Sequence, residues 1–407
     1  MSNAPPANLT DIPKKHKAAV YDKPGTLSTK VVEVDTPEPG PGEVLVRLTH
    51  SGVCHSDYSV MVNGWKALPF PTPEGQVGGH EVRGQLFFYP PAPGAGGSRR
   101  RRRRHRRRVV PSRTLSNSML TPPGVGFVAK LGPGLDKSPV KVGDRVGIKW
   151  VSAICGACPA CMHGHDALCP NNKVSGYYTP GTFQEYAVGP ADYVTPVPDG
   201  LDSALAAPML CAGVTVHSAL KKAQVAGGKF VVVMGAGGGL GNIAVSIAAK
   251  GVGARVIGID HGSKEKLVKD AGAEFFIDFT KVTDVEKAVK DVTEGLGAHA
   301  VLVLTASNQA YAQAPMLCRF GGRVICVGIP EGELQPIGGA IPAVMIFKEL
   351  TITGSAVGNR LEAIETLDFA KRGIATSKIR LAKLEDLTSV FQEMHDGKIE
   401  GRVVIEM

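Results

Sequence analysis

Long apolar runs are missing from this 407-residue sequence. The best candidate for a membrane span, residues 231–259, is broken by glycines and by Lys250 and Arg255, so no membrane association is expected. The first 24 residues lack the apolar core of a secretory signal. They hold no arginine and include Asp11, which argues against a mitochondrial transit peptide. A cytoplasmic location is the expectation. Tryptophan is scarce, with only Trp65 and Trp150. Acids and lysine are absent from residues 82–123, which carry eleven arginines: Arg83, the run 99–108 interrupted only by His105, and Arg113. Without that stretch the formal net charge falls from +9 to −2, so the basic character belongs to one segment and not to the folded body.

What is present is an ordinary globular composition, 43% hydrophobic and 20% charged, long enough for two domains. Residues 1–15 read as a loose leader. Short strands are expected at 17–20, 43–48, 124–131, 144–149 and 183–188, separated by turn-rich stretches such as Pro37-Glu-Pro-Gly-Pro-Gly42. Near Cys211 the pattern changes. Strands at 230–234, 254–260, 300–304 and 323–327 alternate with helical stretches, the first at 240–250, and alternation of this kind means a parallel sheet. The chain ends on an apolar strand at 402–405. The fold class is therefore α/β. An irregular β domain is formed from residues 1–211 and 351–407, and a doubly wound domain, 212–350, is inserted between them.

The turn Gly235-Ala-Gly-Gly238-Gly239-Leu240-Gly241 follows a strand and opens a helix. Small residues there let the backbone approach a pyrophosphate, and the helix N-terminus supplies free N–H groups. The spacing is GxxGxxG, weak alone. The strand before it, the helix after it and Asp260 at the end of the next strand make it specific for a dinucleotide. Asp260 can accept hydrogen bonds from ribose hydroxyls and would repel a 2′-phosphate, so NAD is favoured over NADP.

Eight cysteines are present and four crowd together as Cys155-x2-Cys158-x2-Cys161-x7-Cys169. Four thiolates satisfy a tetrahedral Zn2+ and leave no open position, which describes a structural site. Cys54, His80 and Cys211 form a dispersed second set. A lone cysteine is usually a small buried hydrophobe, and spacing alone leaves their convergence open.

Taken together, Gly52-Val-Cys-His-Ser-Asp57, Gly78-Gly-His-Glu81, the four-cysteine loop and Ala207-Pro-Met-Leu-Cys-Ala-Gly213 resemble the zinc-dependent medium-chain alcohol dehydrogenases. The yeast-type enzymes are the nearest group, with Asp144-Arg-Val-Gly-Ile-Lys-Trp150 and Gly258-Ile-Asp260 matching as well. The likeness implies a GroES-like catalytic domain, a Rossmann coenzyme domain and a homotetramer. It implies one catalytic Zn2+ held by Cys54, His80 and Cys211, with Glu81 as an alternate ligand, besides the structural Zn2+. By the same likeness Asp57 orients the zinc-bound histidine, and Ser56 takes the alcohol proton. His55 and Arg402 hold the coenzyme pyrophosphate, Lys264 sits near the adenosine ribose, and Val327 is a further coenzyme contact. Trp65, Trp150 and Ile329 wall a pocket for small primary alcohols and their aldehydes.

Two departures stand out. The histidine expected eight residues after the first zinc cysteine, at the end of a proton relay, is Val62. Residues 82–123 interrupt otherwise family-like sequence. Their Pro- and Arg-rich composition should not fold alone, and translated noncoding sequence is the leading reading. A genuine arm binding nucleic acid through residues 99–108 is the lesser one. Three functional alternatives remain: a non-enzymatic NAD- and zinc-binding body, a polyol or secondary-alcohol dehydrogenase, and a zinc-free quinone reductase. Filled ligand positions count against the last.

Overall fold

The computed structural model describes residues 4–65, 71–78, 124–176, 180–331, 333 and 335–407. The β domain centres on the strand Glu43–Gly52. It pairs antiparallel with Gly124–Leu131, with Tyr186–Pro190 and with the last strand, Arg402–Glu406. That last strand pairs in parallel with Ile379–Ala382. Both ends of the chain thus meet in one sheet. A smaller sheet joins Lys15–Tyr21 to Thr29–Asp35 and to Gln76–Val77.

The second domain is a six-stranded parallel sheet. Its spatial order is Phe275–Asp278, Arg255–Asp260, Phe230–Met234, Ala298–Val303, Cys318–Cys326, Thr351–Gly354. The short apolar run Phe230–Met234 is central and buried on both faces. Val231 and Val233 join one apolar cluster, Phe230, Val232 and Met234 the other. Burial on both faces is what a strand without polar alternation requires. Strand order reverses around Phe230–Met234, and such a switch point opens a crevice at the carboxyl ends of the strands.

Three expectations change. The leader is docked at Asn8 and Leu9: Leu9 is 6% exposed and belongs to one apolar cluster with Leu45, Phe127, Ala129 and Tyr186, while Asn8 Oδ1 accepts from Arg47 Nη1 at 2.9 Å. Leu9 and Ile12 show no periodicity, so this docking has no signature in the sequence. The boundary at 211/212 falls inside a continuous helix, Ser203–Ala223. The boundary at 350 is too early, because Thr351–Gly354 completes the parallel sheet.

The helix Ser203–Ala223 is the one described helix long and apolar enough to cross a membrane, and 78% of its apolar window is buried inside the protein. It is therefore a core helix, and the apolar run that matters lies upstream of the one singled out in the sequence. Asp202 caps it by accepting from Ala204 and Leu205 N–H. Pro208 has no N–H to give the helical ladder, and the next turn, Met209–Gly213, is widened to π geometry. Gly213 lies where this helix meets Arg360–Lys371. A Cβ there would stand 2.7 Å from Thr366 Cγ2 and 2.8 Å from Met209 Sδ. Gly213→Ala is expected to destabilise the protein by about 1–3 kcal/mol through overpacking. Urea unfolding monitored by circular dichroism checks this; an unchanged midpoint would refute it.

Candidate active site

A cavity of about 1280 Å3 lies between the domains, lined from both. On one side it takes Gly235, Gly238, Gly239, Leu240, Gly241 and Val327; on the other Cys54, His55, Ser56, Trp65, Trp150 and Arg402. Cys211 and Ile329 line it too. The expected coenzyme turn, zinc cysteines and pocket walls therefore share one space.

The turn is shaped for close approach. A Cβ on Gly241 would overlap the Gly235 carbonyl oxygen and lie 2.7 Å from Ala236 Cα, so only glycine lets the helix begin this near the strand. Asp260 sits at the carboxyl end of its strand. Its Oδ2 accepts from Gly237 N–H at 2.8 Å and its Oδ1 from His261 N–H at 2.7 Å. Lys264 follows in the next turn and donates to the Ile399 carbonyl at 3.2 Å. Arg402, 6% exposed, donates to Gly239 O at 3.2 Å and to Val53 O at 3.3 Å. Its Nη2 is buried with no partner among the described residues. A buried guanidinium donor left over beside a glycine turn fits an anionic group such as a dinucleotide pyrophosphate.

Cys54 caps the short helix His55–Met61, and the buried Asp57 carboxylate accepts its backbone N–H at 2.8 Å. Asp57 thus fixes the loop that presents the first cysteine. Cys54, Asp57, Cys211 and Arg402 border one small void. Cys211 lies in the widened turn, its carbonyl accepting from Thr215 Oγ1 at 2.7 Å. Neither cysteine is in a disulfide. His80 and Glu81 fall outside the described residues, as does the segment 82–123. The two thiols offer the soft donors zinc takes.

Trp65 and Trp150 are each 8% exposed and face the cavity, with their indole N–H groups unpartnered among the described residues. Ile329 is 47% exposed at the mouth. Val62 ends the helix and packs into the apolar cluster around Phe183 and Phe391. The acid the sequence reading missed is Glu331. It reaches across from the coenzyme domain, accepting from Ser59 Oγ at 2.8 Å and from His55 Nε2 at 3.1 Å. It lies two residues beyond Ile329 in the loop leaving a strand's carboxyl end. That position was the available signal, since such loops carry the ligand contacts of open α/β sheets.

The four cysteines of the second cluster lie together, every sulfur within 4.8 Å of the others. Three of the separations are 3.4 Å (Cys158–Cys161), 3.6 Å (Cys155–Cys169) and 4.0 Å (Cys155–Cys161). A tetrahedron with about 2.3 Å Zn–S bonds has edges of roughly 3.8 Å, so the quartet fits one Zn2+. Backbone N–H groups point at the sulfurs. The one from Ala157 is foremost in drawing the Cys155 thiol down to about 6, whereas burial pushes Cys161 up to about 12 and raises Cys169, so it is Cys155 that stands nearest the thiolate metal binding needs. The same loop carries Asp166, buried against Tyr193 and lining the cavity. Close by is Lys149, whose ammonium burial draws down to about 7 against the pull of Asp166.

Comparison with known proteins agrees with this geometry. The sequence pattern of zinc-binding dehydrogenases matches residues 239–372. That of the alcohol dehydrogenase GroES-like domain matches 40–88 and 108–199, breaking inside the arginine-rich segment. Alcohol dehydrogenase 2 of Emericella nidulans is 54% identical over 404 residues, covering 98% of this chain and 99% of that protein. The alcohol dehydrogenase of Schizosaccharomyces pombe is 37% identical, covering 97% and 99%. Among solved structures, the Aeropyrum pernix alcohol dehydrogenase superposes with a TM-score of 0.75 at 26% identity, covering 96% of this chain and 100% of that one. Acetophenone reductase from Geotrichum candidum, solved with NAD, gives 0.74 at 26%, covering 97% and 98%. With identity of this depth over nearly its whole length, the chain belongs to the zinc-dependent medium-chain alcohol dehydrogenases.

Proposed function

We propose that this chain interconverts small primary alcohols and aldehydes with NAD(H). The observation that carries the reading is the shared cavity: zinc-type thiols, a glycine-rich coenzyme turn and two indoles converge on it. When bound, zinc acts as a Lewis acid on the substrate oxygen and NAD accepts the hydride.

The protein's own residues do the rest. Cys54 and Cys211, with His80, hold the catalytic metal, and Asp57 keeps the Cys54 loop in register. Cys155, Cys158, Cys161 and Cys169 hold the structural one. Ser56 takes the alcohol proton at its Oγ and passes one on to solvent. Trp65 and Trp150 exclude water and bulky substituents, and Ile329 narrows the mouth. Asp260 receives the adenosine ribose, Arg402 the pyrophosphate, and the Gly235–Gly241 turn leaves room for both. His55 also serves the pyrophosphate, which means that it must exchange Glu331 for it.

We read the assembly as a cytoplasmic homotetramer. Clustered thiols suited to a metal support a reducing compartment. Phe347 and Ile346, 85% and 70% exposed on the helix Pro342–Lys348 beside the strand Cys318–Cys326, support self-association. Residues 82–123 we read as translated noncoding sequence; the break in the family match between 88 and 108 supports this for the arginine-rich stretch, while 82–88 and 108–123 fall within the match.

The deciding experiment is NADH formation by the purified 407-residue chain with NAD and ethanol, with zinc measured on the same sample. Turnover that chelation abolishes is expected. A protein that keeps its structural zinc but shows neither catalytic zinc nor turnover would overturn the reading for this form, leaving a non-enzymatic NAD- and zinc-binding body. Cys54→Ser and Cys158→Ser should each lose one zinc per chain by atomic absorption. Cys54→Ser should keep the fold and lose roughly a hundredfold or more in turnover, whereas Cys158→Ser should lower the melting temperature. Glu331→Gln should tighten NADH about two- to five-fold, the scale of one partly exposed ion pair, measured by fluorescence titration. Weaker binding would mean that Glu331 assists the coenzyme.

A further inference from the structure

We propose that Lys149, Asp166 and Tyr193 form a buried brace that holds the Trp150 indole as the wall limiting alcohol length, which makes Lys149 a specificity-determining positioning residue. The inference rests on the reading of Trp150 as a pocket wall.

Lys149, Asp166 and Tyr193 are 2%, 5% and 7% exposed. Lysine is almost never buried so completely unless something holds its charge. Here the ammonium lies 3.5 Å from the centre of the Tyr193 ring and donates to Val151 O at 3.3 Å. Tyr193 donates its hydroxyl to Asp166 Oδ2 at 2.6 Å. The same oxygen accepts the Arg360 backbone N–H at 3.1 Å, at the start of the helix Arg360–Lys371. Asp166 therefore places a negative charge near Lys149, and the Tyr193 ring is held at its hydroxyl by Asp166 and on its face by the ammonium.

Trp150 depends on this arrangement. Its Nε1 has no hydrogen-bond partner among the described residues, so no polar contact sets the rotation of the ring. Packing does, within the apolar cluster that Trp150 shares with Val151, Ala167, Val174 and Tyr193. Tyr193 belongs to the brace, and Ala167 is the neighbour of Asp166. Asp166, Ala167 and Leu168 themselves line the cavity, and all three lie on the metal loop between Cys161 and Cys169. Through residues 166–168 the four-cysteine loop also lines the cavity. Below about pH 7, where Lys149 holds its proton, a desolvated ammonium over an aromatic face is a strong contact. Removing the charge while keeping side-chain volume should let Tyr193 and then Trp150 relax outward.

The test compares kcat/KM for butan-1-ol with that for ethanol in Lys149→Met, Tyr193→Phe and the control Trp150→Ala, with zinc content and melting temperature measured alongside. Lys149→Met should raise the butanol-to-ethanol ratio by about three- to ten-fold, less than the roughly ten-fold or more that a full methylene is worth in an apolar pocket, because the wall relaxes without being removed. The change should appear as a lower KM for butanol and a higher KM for ethanol, with two zinc ions retained. Tyr193→Phe should move the ratio the same way by less, and it decides alone if Lys149→Met fails to fold. A shift with Trp150→Ala but none with the brace variants would overturn the inference, leaving Lys149 a purely structural residue. No shift with Trp150→Ala would overturn the pocket-wall reading and the inference with it.

Discussion

The cleft depends above all on Arg402. Its guanidinium joins the Val53 carbonyl, at the end of a catalytic-domain strand, to the Gly239 carbonyl in the coenzyme turn. The residue opens the last strand of the chain, which is itself stitched into the first large sheet. One buried charge therefore registers three segments distant in sequence. Burying it is costly unless its donors are used, and two backbone acceptors use only part of a guanidinium. The remaining N–H donors, the Nη2 pair among them, give the space between the domains a preference for anions before any ligand arrives.

Much of this was legible from residue type and spacing. The run Phe230–Met234 was read at its observed limits, because a strand covered on both faces must be continuously apolar. The four cysteines were readable because tetrahedral coordination demands proximity that only a short loop supplies. The glycine turn was readable because its neighbours, a strand, a helix and Asp260, each carry their own signal. The convergence of Cys54 with Cys211 was not in the spacing. It came from family likeness, and the structure brings both to the border of one void.

What escaped the sequence depends on pairing across space. The docked leader rests on Leu9 and Asn8, two residues without periodicity. The boundary near Cys211 was misplaced because composition changes there while the helix Ser203–Ala223 does not stop. Glu331 and Lys149 look in sequence like ordinary surface charges. Nothing local says that one reaches His55 or that the other is enclosed between Tyr193 and Val151. Val62 has the converse lesson: it reads as a lost relay group and turns out to close an apolar cluster.

The helix Ser203–Ala223 has a mechanical consequence. It begins against strands of the catalytic domain, runs on through the widened turn that presents Cys211, and continues beside the parallel sheet. Cys211 is therefore carried by an element that both domains grip, so its sulfur is anchored to the two walls of the cleft at once, whereas Cys54 is carried by a loop of the catalytic domain alone.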